Sequence, residues 1–357
     1  VVTSAVVIFG GAGAYALFNK SNLNLYVALG NWAKSDVIDV TASIQVNPDS
    51  LTRSGQTNAD VQDLELPGVQ TVDDLATGLG QTRIHIQLNK SGGQIDTSNY
   101  ALALQYGTVN VIDLRIIERV LYLSTGVKAL PSVTPQVLTQ KQIDDVESNI
   151  QQIGAFLGKD SLAVKLVNTL LAGDAASLSF KKGTALGDEF DKSLSDATAR
   201  PEPSISPSAE LQKLILDSLK NASAITSDGK DETGNRFLLT IGAQKFGQAV
   251  LLGLKDTDLG SLESSRKDIE KTLTELVAKS SNRNLLMRLW AGNGDLKRME
   301  LDLSALININ NPSASLQDWD VALRLDIGSE GPSAPAQSTD FTDDIAALIK
   351  ALQSLGD

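Results

Sequence analysis

His85 is the only histidine in the chain, and there is no cysteine. Those two facts limit the chemistry. Without cysteine there is no thiol nucleophile, no disulfide, no thiolate metal site and no lipidated N-terminal cysteine. A single histidine cannot assemble a multi-histidine zinc site or a two-histidine iron site. As a general base, His85 would need a nucleophile and an orienting acid beside it. It lies between Arg83 and Gln87 on the polar side of an alternating segment, so it reads as a solvated strand position. Asp228, Asp231 and Glu232 fall in SDGKDETGN, where Lys230 interrupts the acids and the D-x-D-x-D-G calcium spacing is missing. They read as a solvated hairpin tip, and Gly187-Asp188-Glu189-Phe190-Asp191 as an exposed acidic loop. Acids number 43 against 31 bases, a net charge of −12. With so many carboxylates, pairs at glycosidase spacing carry no information. An acidic chain is also a poor match for a phosphate backbone, so no nucleic-acid partner is expected. No cofactor, metal or catalytic residue is assigned. Asn89-Lys90-Ser91 and Asn221-Ala222-Ser223 match the glycosylation sequon, which matters only in a host that glycosylates.

Gly11-Ala12-Gly13-Ala14-Tyr15-Ala16 matches the dinucleotide fingerprint G-x-G-x-x-A. Asn19-Lys20-Ser21-Asn22 follows within a few residues, and no βαβ alternation comes after it. Small residues in a membrane helix account for the match better. Residues 1–18 carry no charge and are near the lower limit for spanning hydrocarbon. They read either as an uncleaved transmembrane anchor or as a signal-peptide core with a small-x-small site around Ala12–Ala16. Both place the remaining chain, 21–357, on the extracytoplasmic side of a cell membrane.

The elements beyond residue 22 start with period two. Asn24–Gly30 and Val37–Val46 read as strands, and 47–80 as a long loop with a short helix near Val72–Leu79. Thr82–Leu88, Tyr100–Tyr106, Val111–Glu118 and Val120–Val127 alternate apolar with polar residues, the mark of an antiparallel sheet with one covered face. Ser91-Gly92-Gly93 marks a turn. Thr139–Leu157 and Ser161–Leu171 then switch to helical spacing. Ala176–Phe180 is a short strand, and the proline-rich 199–208 a crossing. The second half repeats these types: helices at Ala209–Leu219, Ala243–Leu254 and Leu262–Lys279, hairpins around 227–235 and 292–295, a strand at Trp319–Ile327, a Pro/Ser/Ala stretch at 331–338 and a closing helix at Thr342–Leu355. Strand groups alternate with helix groups without βα repeats, so the fold class is α+β. Tyr26, Trp32, Trp290 and Trp319 are either core residues or the rim of a hydrophobic mouth.

The order of segments resembles the LppX/LprG-like exported lipoproteins of actinobacteria, within the LolA/LolB superfamily. The resemblance is carried by Arg119–Leu130, Asn221–Phe237, Arg288–Leu303, and Trp319–Gly328 with Pro332–Pro335 and the last helix. It departs at the lipobox cysteine, which is absent here, so a membrane helix would have to supply the anchor. The resemblance implies a strongly curved antiparallel sheet, a half-barrel, with helices packed on its concave face. It also implies a lipid or lipid-like ligand between sheet and helices. The aliphatic rows available to line such a site are Ile84, Ile86 and Leu88; Leu102 and Leu104; Ile112, Leu114 and Ile116; Leu301 and Leu303; and Val321, Leu323 and Leu325. The same rows would equally serve a filled core, because hydropathy patterning does not count empty volume. Two functions follow: a membrane-anchored lipid-binding protein without enzymatic activity, or a structural subunit docking on a membrane protein complex with no ligand.

Overall fold

The computed structural model describes residues 23–353 apart from 54–56, 65–68, 92–93, 135–137, 159, 185, 193–207, 281–282 and 312–314. The expected membrane segment 1–18, the 92–93 turn and most of the proline-rich crossing lie outside the described residues. In chain order the helices are α1 (Leu23–Lys34), α2 (Pro48–Arg53), α3 (Asn58–Gln62), α4 (Val72–Gln81), α5 (Leu130–Val133), α6 (Gln140–Leu157) and α7 (Leu162–Ala172). They continue with α8 (Ala209–Ala222), α9 (Ala243–Leu254), α10 (Arg266–Lys279), α11 (Ser304–Asn310) and α12 (Thr342–Gln353). The strands are β1 (Val37–Val46), β2 (Thr82–Ser91), β3 (Gln94–Tyr106), β4 (Val109–Ile117), β5 (Val120–Ser124) and β6 (Ala175–Ser179). The later ones are β7 (Ser223–Lys230), β8 (Asn235–Gly242), β9 (Asn284–Gly292), β10 (Asp295–Asp302), β11 (Val321–Ile327) and β12 (Ser338–Asp340). The fold is α+β. No described helix is long and apolar enough to cross a membrane.

The chain forms two compact units, each assembled from three stretches. Unit one takes described residues from 23–35, 44–56 and 208–327; unit two takes them from 36–43, 57–192 and 328–353.

In unit one, β7–β11 pair antiparallel in the order β11-β10-β9-β8-β7. Phe237, Leu239, Met287, Leu289, Met299 and Leu325 are buried there. The α1 helix packs against β9 and β10. Its segment Asn24–Gly30 is helical, not the expected strand. Leu25, Ala28, Leu29 and Trp32 recur at three- and four-residue steps and all are buried, so helical periodicity governs the burial. A second core lies among the helices, where Leu211, Val250, Leu254 and Leu259 pack with Leu214, Ile215 and Phe246.

Asp302, at the end of β10, is completely buried. One carboxylate oxygen accepts the Ser304 backbone N–H at 2.8 Å, and the other has no hydrogen-bond partner among the described residues. Burial pushes its carboxyl above the usual range. A carboxyl raised in the folded state favours the protonated form, so its contribution weakens stability as pH rises from the ordinary carboxylate range through the raised value. Asp302→Asn keeps an acceptor for Ser304 and removes the buried charge. It is expected to melt a few degrees higher than the parent at neutral pH, with the gap closing in acid.

Unit two holds the antiparallel run β6-β5-β4-β3-β2-β1, extended by β12, which lies parallel to β6. The expected long loop at 47–80 contains three helices: α4 is the short helix expected near Val72–Leu79, and α2 and α3 are additional. Two of them, α3 and α4, start at capping boxes, Thr57 with Asp60 and Thr71 with Asp74. Thr139 and Gln142 form a third box at the start of α6.

Candidate functional site

Antiparallel pairing places three aliphatic rows on one face of unit two's sheet. Ala42, Ile84, Leu104 and Ile112 are cross-strand neighbours; so are Val40, Ile86, Leu102, Leu114 and Leu123; so are Ile38, Leu88, Tyr100, Ile116 and Leu121. At β1 this face is closed, with Ile38, Val40 and Ala42 all buried. Across β2–β4 it is open: Ile84 is 43% exposed, Leu102 44%, Leu104 38% and Ile112 46%. Ile86, Leu88 and Leu114 are half-buried.

The helices of this unit are apolar in the same unfinished way. Along α6 the stripe runs Ile143, Val146, Ile150, Ile153. Ile143 and Ile150 are buried, but Val146 is 44% and Ile153 50% exposed. Val133 on α5 and Val167 on α7 are also among the exposed aliphatics. α5 packs against β4, and α7 against β6. An isolated exposed aliphatic needs no explanation, but adjacent ones on paired strands leave a continuous greasy surface in water.

The opposite face reverses the expectation that polar residues mean solvent. Asp39, Ser43, Ala101, Ala103, Asp113 and Ser177 are buried. A strap, residues 328–335, covers part of this face. The Gly328 N–H donates to the Asp39 carbonyl at 2.9 Å, and the Glu330 N–H to Asp39 Oδ2 at 2.9 Å. Gln87 Nε2 donates to the Glu330 carbonyl at 3.2 Å, and Arg115 Nη1 to the Ser333 carbonyl at 2.8 Å. The backbone polar groups of the strap thus find partners on the sheet, which is why a polar face can be the covered one.

His85 is therefore not a solvated strand residue. It is half-buried, and its Nε2 stands 2.8 Å from Asp39 Oδ1. Gly328 is required where the strap enters: a Cβ there would come within 1.9 Å of Asp39 Oδ2. Gly328→Ala must displace the carboxylate that binds both His85 and the strap. It is expected to cost about 1–3 kcal/mol, the scale for overpacking and for a buried hydrogen-bonding group left without its partner. Thermal unfolding, with the His85 NMR signal as local reporter, checks this.

The remaining candidates fall elsewhere. Leu301, Val321, Leu323 and Leu325 belong to unit one, where Leu325 is buried and the other three half-buried. Leu303 is not on a strand: β10 stops at Asp302, and Leu303 turns into α11. Trp32 and Trp290 are core residues. Trp319 precedes β11 with φ +68°, stacked under the Arg288 guanidinium at 4.0 Å. The 227–235 tip is more than solvated acid. Asp231 Oδ2 accepts the Trp290 indole N–H at 2.7 Å, and Asp228 sits between Arg236 and Arg288 at 2.8 and 3.3 Å. The indole hydrogen bond, with help from the Thr233 and Gly234 N–H groups and from Arg236, holds the Asp231 carboxyl below its ordinary range. The expected acidic loop is instead helical over 186–192, with Leu186 and Gly187 buried, Asp191 paired with Arg119 at 2.8 Å and Phe190 stacked on Phe180. Among the described residues no cluster of His, Asp and Glu is arranged to hold a metal ion.

No protein-family model and no curated protein matches the chain. Among solved structures, the crystal structure of the Mycobacterium tuberculosis lipoprotein LppX is similar to it at 9% identity, over 88% of this chain and 97% of that one, with a TM-score of 0.29. The likeness is distant.

Proposed function

We propose that this protein binds a lipid or another hydrophobic molecule on the aliphatic face of β2–β4, beneath the helices of unit two. The observation that carries the reading is the exposure of Ile84, Leu102, Leu104 and Ile112 side by side, while the alanines and carboxylates behind them are buried. A folded chain does better to bury aliphatics and expose carboxylates. The reversal is explained if something apolar covers the aliphatic face in use. Each CH₂ taken from water is worth about 0.8 kcal/mol, so an acyl chain laid across three rows supplies ample affinity. The reading requires unit two to curve about its ligand as a half-barrel with helices over the concave side. It is a binding role with no catalytic step. Residues 1–18 hold the chain to a membrane, with the bulk on the extracytoplasmic side.

The test is to purify the full chain without added lipid, extract it with organic solvent for mass spectrometry, and titrate the delipidated protein with a fluorescent fatty-acid probe. Extracted lipid and saturable probe binding are expected. No lipid and no probe binding would overturn the reading and favour a ligand-free assembly subunit.

A further inference from the structure

Beneath the strap lies a pocket of about 230 Å³, wholly within unit two and on the face opposite the aliphatic rows. Its floor is made by Ala101 and Ala103 of β3. In register, His85–Ala103–Asp113 and Gln87–Ala101–Arg115 run across β2, β3 and β4. The two alanines thus leave a trough between long polar side chains, roofed by Glu330–Ser333 of the strap.

We propose that this pocket is a binding site for the primary ammonium group of a small amine. The groups left unspent are acceptors. The Asp39 carboxylate can only accept, so the His85 Nε2–H donates to it. Gln87 Oε1, Ser333 Oγ and the Glu330 carboxylate all belong to lining residues, and none has a partner among the described residues. An ammonium group brings three donors.

The donors in the wall are already committed. Arg115 Nε and Nη2 bond the two Asp113 oxygens at 2.9 and 2.7 Å, and Nη1 holds the strap. Asn110 Nδ2 also donates to Asp113, at 3.1 Å. An anion would have to break these pairs. Charge points the same way. Asp113 and Glu330 line the pocket and Asp39 stands behind His85, against the one guanidinium of Arg115. The chain's charge of −12 adds a field that attracts cations. The volume lies below that of drug-sized pockets, so the ligand is small. This site does not depend on the lipid reading.

Because His85 is the only histidine, its imidazole resonances give one unambiguous local signal. Full-length protein is titrated with ethylamine, and with acetate and glycerol as controls. Ethylamine is expected to shift the His85 signal saturably, with neither control doing so. Ser333→Ala, which keeps the carbonyl that receives Arg115, is expected to weaken ethylamine binding about tenfold, the worth of one hydrogen bond to a charged group. Ala103→Val, which fills the trough, is expected to abolish it; if that variant does not fold, Ser333→Ala decides. No saturable shift with ethylamine, an equal response to glycerol or to acetate, or unchanged affinity in Ser333→Ala would each overturn the proposal.

Discussion

The double variant Leu102→Asp/Leu104→Glu is expected to remain folded and to lose fatty-acid binding by on the order of 100-fold or more. A charge buried beneath an apolar ligand costs several kcal/mol, and each 1.4 kcal/mol is a factor of ten. Both side chains are already more than a third open to water, so the ligand-free fold has little burial to lose. Their cross-strand neighbours Ile86, Leu114, Ile84 and Ile112 would lie directly against the new carboxylates. Circular dichroism and the His85 signal report folding; probe fluorescence reports binding. A variant that unfolds would show these residues to be core. A folded variant that binds as before would remove the aliphatic face from the function.

Leu254→Ala is expected to do the opposite: a loss of about 2–5 kcal/mol of stability, the range for buried leucine truncations. Leu254 is fully buried among Leu211, Val250 and Leu259, with Leu214 and Phe246 around them. The cavity left behind has no solvent to fill it and little room to collapse. Ile84→Ala removes a comparable side chain from an exposed position. It should cost well under half as much, because most of the transfer free energy was never gained. Denaturant titrations of the two variants separate a closed core from an open face.

Much of this architecture was legible in the chain. Alternation located β2–β5 and the hairpins of unit one, and three-four spacing located α6, α7 and α9 nearly to the residue. The α1 segment was not, because seven residues of NLYVALG satisfy both periods, and only Trp32 one turn further on decides for helix. Of the helices in 47–80 only α4 was expected; α3 was announced by Thr57-x-x-Asp60, a short polar cap that composition hides among loop residues. The candidate site was half legible. Patterning named Ile84, Leu102, Leu104 and Ile112 as one surface. It did not say which surface the fold covers, since that is decided by a strap more than two hundred residues away in sequence from β2. For the same reason Asp39 and His85, separated by 46 positions, gave no sign of their pairing.

Each compact unit is assembled from three separated stretches of the chain. During synthesis on a ribosome, α1 must wait for β9 and β10, more than 240 residues downstream, before it has anything to pack against. β1 finds β2 early, but its Asp39 meets its strap only once residue 330 has emerged. Unit one has all its pieces only once residue 327 has been made, and unit two only after the stretch from Gly328 onward has followed. A single cut anywhere between residues 57 and 327 therefore yields two fragments, neither holding all the pieces of either unit.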